Sequence, residues 1–347
     1  MKKTKIVKLL AATAMATVLS NAAHSQVTVS GYVETTFMNG GFDGATNSPA
    51  GTRSLGSESL IKIASKGKMS NGMGYEAFQE LESDETFAFH QRYIGISPTN
   101  NGTMFYSFDG QKGSEIAGRM TPFVTERLQD ITGQSGIPEY IDITSSQNFV
   151  GFDVMNIGPS GQLSAAFNPN MAGTSNSGSD RLLPATKTQQ GYSLGYRVTP
   201  VAGLTIGAGL TKIDADRADF QDANAKTLGF SYASAPFAIG AQRIDQKGLK
   251  TSQAATQKDQ VDIISATYAA NKEITVGGSY AKNERTIADV KGTVDTKSYN
   301  VAIAYNLGPV VASLNYENSY DTPASGTVTP TYGRDASITK LKVRANY

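Results

Sequence analysis

The sequence predicts an all-β chain: a 16-stranded antiparallel up-and-down transmembrane β-barrel. Three observations lead there. The final stretch, 337–347, alternates strictly: Thr339, Leu341, Val343, Ala345 and Tyr347 on one face, Lys340, Lys342, Arg344 and Asn346 on the other. Successive strand residues point to opposite faces, so this strand is apolar on one side and cationic on the other. Tight turns and longer polar loops alternate along the whole chain, as in a barrel with short turns at one rim and long loops at the other. Beyond the N-terminal leader no apolar run reaches the length of a membrane-spanning helix, and there are no cysteines to staple a small secreted fold.

Residues 1–25 read as a secretory signal. Lys2, Lys3, Lys5 and Lys8 precede a short apolar run, and Ala23-His24-Ser25 supplies a small-x-small cleavage site. The expected exported chain is a single domain over 26–347. The full sequence holds 31 Lys and Arg against 30 Asp and Glu. Four of those lysines belong to the leader, so the remainder is slightly acidic. That balance argues against a nucleic-acid partner, which needs a basic surface.

Strands are expected at 27–38, 57–68, 73–83, 87–97, 103–109, 145–155, 161–167, 189–199, 204–213, 225–234, 237–245, 259–270, 273–283, 296–306, 310–320 and 337–347. Ser70-Asn71-Gly72 is an Asn-Gly hairpin signal. The stretch 39–56 is rich in Gly, Asn, Ser and Thr and reads as a loop. The long connection 110–144 carries one helical candidate, with Thr121 as cap, Pro122 at the first position and 125–131 continuing it.

One face of the later strands gathers Leu, Ile, Val and Tyr, while the other is Thr, Gly, Ser and Asn, as in Thr205-Gly207-Gly209-Thr211. Tyr near strand ends suits a headgroup-level girdle around lipid, and the small polar face suits a wet lumen. Charged residues fall mostly on the small face. Arg243 falls by parity on the apolar face and is expected near a rim. No row of aromatic residues is expected at lumen parity.

These features together resemble the general trimeric porins of Gram-negative outer membranes. Val27-Thr28-Val29-Ser30-Gly31-Tyr32-Val33-Glu34 is similar to that family's first strand. Asn71-Gly72-Met73-Gly74-Tyr75-Glu76-Ala77-Phe78-Gln79-Glu80-Leu81-Glu82 resembles its second hairpin, and Arg92-Tyr93-Ile94-Gly95-Ile96 followed by Asn101-Gly102-Thr103 the next. The terminal aromatic resembles the family's signature for outer-membrane insertion. The resemblance implies an exported outer-membrane homotrimer in contact with lipid and lipopolysaccharide. It also implies short periplasmic turns, long outer loops, and a third long loop, here 110–144, folded inward to narrow the pore.

The resemblance further implies an eyelet where an acidic loop faces a basic wall. On the loop the candidates are Glu115, Glu126, Asp130 and Glu139, with Asp142 nearby. On the wall they are Lys62, Lys66, His90 and Arg92 of the early strands and Lys340, Lys342 and Arg344 of the last. Opposite charges across a narrow wet gap orient dipolar solutes and exclude apolar ones. The chain departs from the family at Phe108 and His90, where arginines are usual, and in lacking a Pro-Glu-Phe-Gly-Gly loop sequence.

Enzymatic readings find little support. Once the leader is removed His90 is the only histidine, so a triad or a His-rich metal site would depend on it alone. Glu76, Glu80 and Glu82 share a strand face, but a charged lumen wall explains them without glycoside chemistry. No phosphate-binding glycine motif sits at a strand–helix junction, and no cofactor is expected. Two functions remain. The first is passive diffusion of small hydrophilic solutes and ions. The alternative is a secreted or surface carbohydrate-binding or adhesin module, which does not account for the alternation of short turns and long loops.

Overall fold

Period-2 sequences joined by tight turns fold here into one sheet that closes on itself. The computed structural model describes residues 26–43, 52–83, 87–108, 113–125, 148–158, 160–168, 189–215, 222–249, 257–287, 293–322 and 334–347. The strands are β1 (Gln26–Asp43), β2 (Thr52–Lys68), β3 (Gly74–Ser83), β4 (Phe87–Thr99), β5 (Gly102–Phe108), β6 (Asn148–Met155), β7 (Gln162–Asn168) and β8 (Gln189–Val201), followed by β9 (Leu204–Ala215), β10 (Ala223–Ser234), β11 (Phe237–Leu249), β12 (Gln257–Ala269), β13 (Ile274–Ile287), β14 (Thr293–Asn306), β15 (Val310–Thr322) and β16 (Arg334–Asn346). Each pairs antiparallel with its sequence neighbours, and β1 pairs with β16, which closes a sixteen-strand barrel. Closure leaves no row of unpaired backbone groups, the condition for a sheet to sit in lipid.

The short turns explain one rim. Asn71, Asn271 and Asn306 each accept a hydrogen bond at Oδ1 from a backbone N–H two residues on, at 3.2, 2.8 and 2.9 Å. Such side-chain turns reverse the chain in few residues. Gly72, at φ 84°, holds a left-handed position that a side chain would strain. The chain ends join at this rim: Tyr347 N donates to Gly31 O at 3.1 Å and Gly31 N to Tyr347 O at 3.2 Å.

The faces separate as the alternation requires. On β16, Leu341 and Val343 are 47% and 43% exposed while Lys340 and Lys342 are 8% and 7% exposed, so the apolar residues point out and the lysines in. Outward aromatics form two levels. Phe237 and Tyr268 pack with ring centres 4.9 Å apart near the short-turn rim, and Tyr299 lies 6.3 and 6.2 Å from Tyr316 and Tyr320 toward the other. This is the arrangement of girdles flanking an apolar band.

The strands, the connection after β5, Arg243 and an aromatic row each differ from the sequence expectation. The loop expected over 39–56 is shorter, because β1 runs to Asp43 and β2 starts at Thr52. Asn39 pairs with Arg53 and Gly40 with Thr52. Above the lipid both faces are wet, so backbone pairing continues after the hydrophobic alternation has stopped. The helix expected from Thr121 is not formed at 121–125, which are irregular, and a 3-10 turn over Gly113–Ala117 stands earlier in the connection. Wall contacts described below hold this segment, overriding its local propensity. The rest of the expected helix lies outside the described residues.

Arg243 is outward, as parity requires, but lies six residues above Phe237, roughly 15 Å up the tilted strand rather than at a rim. It is held there by Asp262, directly opposite, through Nε–Oδ1 at 2.6 Å and Nη2–Oδ2 at 2.5 Å. Finally, an aromatic row does stand on the lumen face: Phe78 stacks on Tyr93 at 5.3 Å and Tyr93 on Phe105 at 6.2 Å. Phe149 joins them, and Tyr93 is only 2% exposed, so the row is a packed core covered from the channel.

Candidate channel lumen and constriction

The inward-facing side chains of β8, β9 and their neighbours are small because another segment of the chain lies on them. Residues 113–125 run along the inner wall from β7 to β15. Gly113 N donates to Ser164 Oγ and Ser114 N to Ser193 Oγ, both at 2.8 Å. The hydroxyls of Ser114, Ser193 and Thr211 close a buried triangle with sides of 2.6 to 2.9 Å. Met120 N donates to Gln242 Oε1 at 3.0 Å, and Gln242 Nε2 in turn to Thr227 Oγ1 at 2.9 Å. Thr125 Oγ1 reaches Asn315 Oδ1 at 3.3 Å. These bonds satisfy polar groups that burial would otherwise leave costly.

Glycines make the close approach possible. A Cβ at Gly195 would lie 2.1 Å from Gly113 O, at Gly209 2.7 Å from Ser114 O, and at Gly229 2.9 Å from Met120 Cβ. At Gly240 it would meet Met120 O at 2.7 Å, and at Gly277 Val124 Cγ2 at 2.8 Å. The segment therefore rests on a track of glycines crossing β8 to β13. Ile116, Ala117 and Met120 are buried against it, while Phe123 stays 40% exposed toward the passage. Glu115 and Arg119 are partly exposed.

Facing this wall, β16 and β1 to β3 carry the charges. Glu34, 1% exposed, holds two cations: Lys342 Nζ is 2.5 Å from Oε1 and Arg344 Nε 2.7 Å from Oε2. The Arg344 guanidinium also lies over the Tyr32 ring at 4.0 Å, and Tyr32 Oη donates to Glu58. Lys62 Nζ is 2.8 Å from Glu80 Oε1 and 3.9 Å from the Phe78 ring centre. Lys66 stands opposite Glu76 in register, both exposed. The basic wall thus contains its own acidic counter-charges.

The expected site residues are distributed as follows. Lys62, Lys66, Lys340, Lys342 and Arg344 share the inward face and form one wall. Arg92 does not join it. The pairing of β3 with β4 slips between Gln79 and Leu81, and beyond the slip Tyr93 and Gly95 face inward. Arg92 stands in register with Gln79 and Phe108, on the face of the outward Ile94 and Ile96. His90 lies in β4, its side chain outside the described residues, as are Glu126, Asp130, Glu139 and Asp142. Glu115 is in the 3-10 turn of the inward segment. Sequence reasoning missed Glu34, Tyr32 and Glu58. Their inward parity was readable, but the partners of Glu34 and Tyr32 on the last strand depend on the seam register, and the Tyr32–Glu58 pair on the register between β1 and β2. Among the described residues no group of three or more His, Asp or Glu gathers to hold a metal ion.

A closed barrel, apolar outside and polar inside, with a segment folded onto its inner wall, defines a membrane-spanning channel protein. The chain belongs to the Gram-negative porin family, whose model matches residues 11–323. Its place is the bacterial outer membrane. No curated protein matches the sequence. Among solved structures it is similar to an anion-selective porin from Comamonas acidovorans, with a TM-score of 0.70, 14% identity, and coverage of 93% of this chain and 100% of that one. It is also similar to OmpT, an outer membrane protein of Vibrio cholerae in trimer form, with a TM-score of 0.65, 11% identity, and coverage of 93% and 99%. A mutant of Rh. blastica porin matches with a TM-score of 0.59, 13% identity, and coverage of 93% and 100%. At these identities the likeness is one of fold.

Proposed function

We propose that this porin is a passive diffusion channel for small hydrophilic solutes and ions, made and exported with residues 1–25 as a cleaved leader and 26–347 as one barrel domain. The observation that carries this reading is the segment 113–125 held against the inner wall by Ser164, Ser193, Thr211 and Gln242. A fixed segment narrows a lumen by a set amount and so gives a size limit. The eyelet lies between this segment, with Glu115 and the acidic positions Glu126, Asp130 and Glu139, and the wall of Lys62, Lys66, Lys340, Lys342 and Arg344, with His90 at its edge. Because Glu34 and Glu80 neutralise wall cations in place, the transverse field is weak and ion selectivity modest. The protein works as a homotrimer, a reading supported by the trimer form of the similar Vibrio cholerae protein. It carries out no catalysis.

Liposome swelling with neutral sugars of increasing size tests this reading. Rates falling smoothly with solute size and showing no saturation support diffusion through a fixed constriction. Saturation by one sugar, or no swelling with folded protein in the bilayer, sinks it.

A further inference from the structure

The β1–β2 hairpin rises above its neighbour on one side. β1 and β2 pair without a register break from Gln26–Lys66 up to Gly40–Thr52, and β1 pairs with β16 on its other side up to Asp43–Asp335. β3 stops lower: its last residue, Ser83, stands opposite Ser59. Among the described residues no strand lies beside 52–58 on the side of β3. The barrel rim therefore has a step, and the edge of β2 along it is a row of backbone N–H and C=O groups facing water.

Nothing in the segment guards that edge. Arg53, Ser54, Leu55, Gly56 and Ser57 are all exposed, and a Cβ at Gly56 would meet no atom within 4 Å. Exposed edges are usually blunted by Lys, Pro, a bulge or a covering loop. Residues 53–57 contain no Lys or Pro, and the unbroken register excludes a bulge. Leu55 is 75% exposed, more than any other large apolar side chain among the described residues. It ends a row that crosses the sheet in register on the outward face, from Leu341 to Phe37 to Leu55. One strand added at the edge would continue that row and pair the backbone groups.

Geometry limits what that strand can be. The same edge of a second copy does not fit. Strands tilted about 40° in upright barrels, related by an axis along the membrane normal, cross steeply instead of lying side by side. A segment without a fixed tilt, arriving from the long-loop side, can lie along the edge. Antiparallel pairing, as between β2 and its partners β1 and β3, sets one of its residues opposite Leu55 and the next but one opposite Arg53. An apolar residue followed two positions later by a carboxylate complements this face.

We propose that 53–57 of β2 is a strand-addition site for an extended, acidic and apolar segment of a partner protein that reaches the barrel from the long-loop side. Backbone hydrogen bonds supply the affinity, and the face of Leu55 and Arg53 supplies the selectivity. The inference rests on the membrane-spanning reading and is independent of solute diffusion.

The chain has no cysteine, so a single introduced one reports register. The test exposes the Leu55→Cys protein, folded in lipid nanodiscs, to the capped heptapeptide Ser-Thr-Thr-Cys-Thr-Glu-Ser under a mild oxidant. Antiparallel pairing brings the peptide's cysteine against position 55 and its glutamate against Arg53. Disulfide formation is expected to be about tenfold faster than with the same peptide N-methylated at alternate residues, which cannot pair along an edge, and about tenfold faster than for Leu307→Cys at the short-turn rim. Arg53→Glu/Leu55→Cys is expected to react more slowly, and a peptide with Lys in place of Glu to restore the rate. Equal rates with the N-methylated peptide, or no response to the charge reversal, overturn the proposal. So does slow hydrogen exchange of the edge-facing amides of 53–57 in the peptide-free protein, which would mean that the assembly already fills the edge. Single-channel conductance of the same samples reads the porin function separately, and Leu55→Cys is expected to leave it unchanged.

Discussion

Glu34 on the first strand lies 2.7 Å from Arg344 on the last, across 310 residues of sequence. The same carboxylate holds Lys342, so one buried anion ties two cations across the seam where the barrel closes. Removing one member of a buried pair leaves the others uncompensated, at a cost of several kcal/mol. Glu34→Gln is therefore expected to lower stability by about 3 kcal/mol, read as a lower temperature for the heat-induced mobility shift. Glu34→Leu combined with Lys342→Met and Arg344→Met is expected to recover much of that loss. A single variant as stable as wild type would show that the seam does not depend on this cluster.

The serine and threonine hydroxyls under the inward segment make a second prediction. Ser114 is fully buried among Ser193 and Thr211. Ser114→Ala leaves them short of a partner, which costs about 1–2 kcal/mol. Loosening of the segment should appear as increased open-channel current noise with mean conductance little changed. Unchanged noise would mean the anchor is redundant.

Phe123 belongs to the same segment but projects into the passage. Phe123→Ala is expected to raise single-channel conductance and Phe123→Trp to lower it, with thermal stability altered by less than about 1 kcal/mol, as for an exposed side chain. Equal conductance in all three proteins would remove this ring from the constriction.

On the lipid side, Asp262→Ala strands Arg243 in the apolar band. An unpaired arginine facing lipid costs about 2–4 kcal/mol near the midplane and less toward the interface, so a loss of about 2 kcal/mol is expected at this height. Arg243→Leu/Asp262→Leu should be as stable as wild type or more so. Urea unfolding from vesicles distinguishes the two outcomes.

The terminal aromatic makes a specific packing prediction. Tyr347 lies over Gly31, where a Cβ would come within 2.7 Å of its hydroxyl oxygen, and that hydroxyl donates to Leu60 O at 3.1 Å. Gly31→Val brings a Cβ against both this ring and the Leu60 carbonyl oxygen, 2.0 Å from the Cβ position, and is expected to cost about 1–3 kcal/mol, as overpacking does. Refolding yield into vesicles should fall with it. Normal yield and stability would show that the ring and the β1–β2 backbone both tolerate displacement.

Much of this fold was legible because a membrane barrel writes its strands as alternation. All sixteen strands fall where Val, Ile, Leu and Tyr alternate with small polar residues, and β16 shows both its faces. The site was less legible, for physical reasons. Arg92 shares parity with His90 in sequence, yet a register slip near Gln79 turns it to the other face, and such a slip leaves no compositional mark. The glycines at 207 and 209 were visible as a small-residue face, but only the docked segment explains why they must be small. The wall cations were found and their neutralisation by Glu34 was not, because that pairing depends on the seam register. The covered aromatic row was missed because Phe78 stands between Glu76 and Glu80 on a face otherwise read as charged.

The most direct test of an open channel is single-channel recording of the wild-type protein in a planar bilayer, with reversal potential taken under a salt gradient. An open, constricted trimer gives stepwise conductance in groups of three and a reversal potential close to zero, because the wall cations are neutralised in place. Folded, heat-modifiable protein that inserts without conducting would contradict the channel reading.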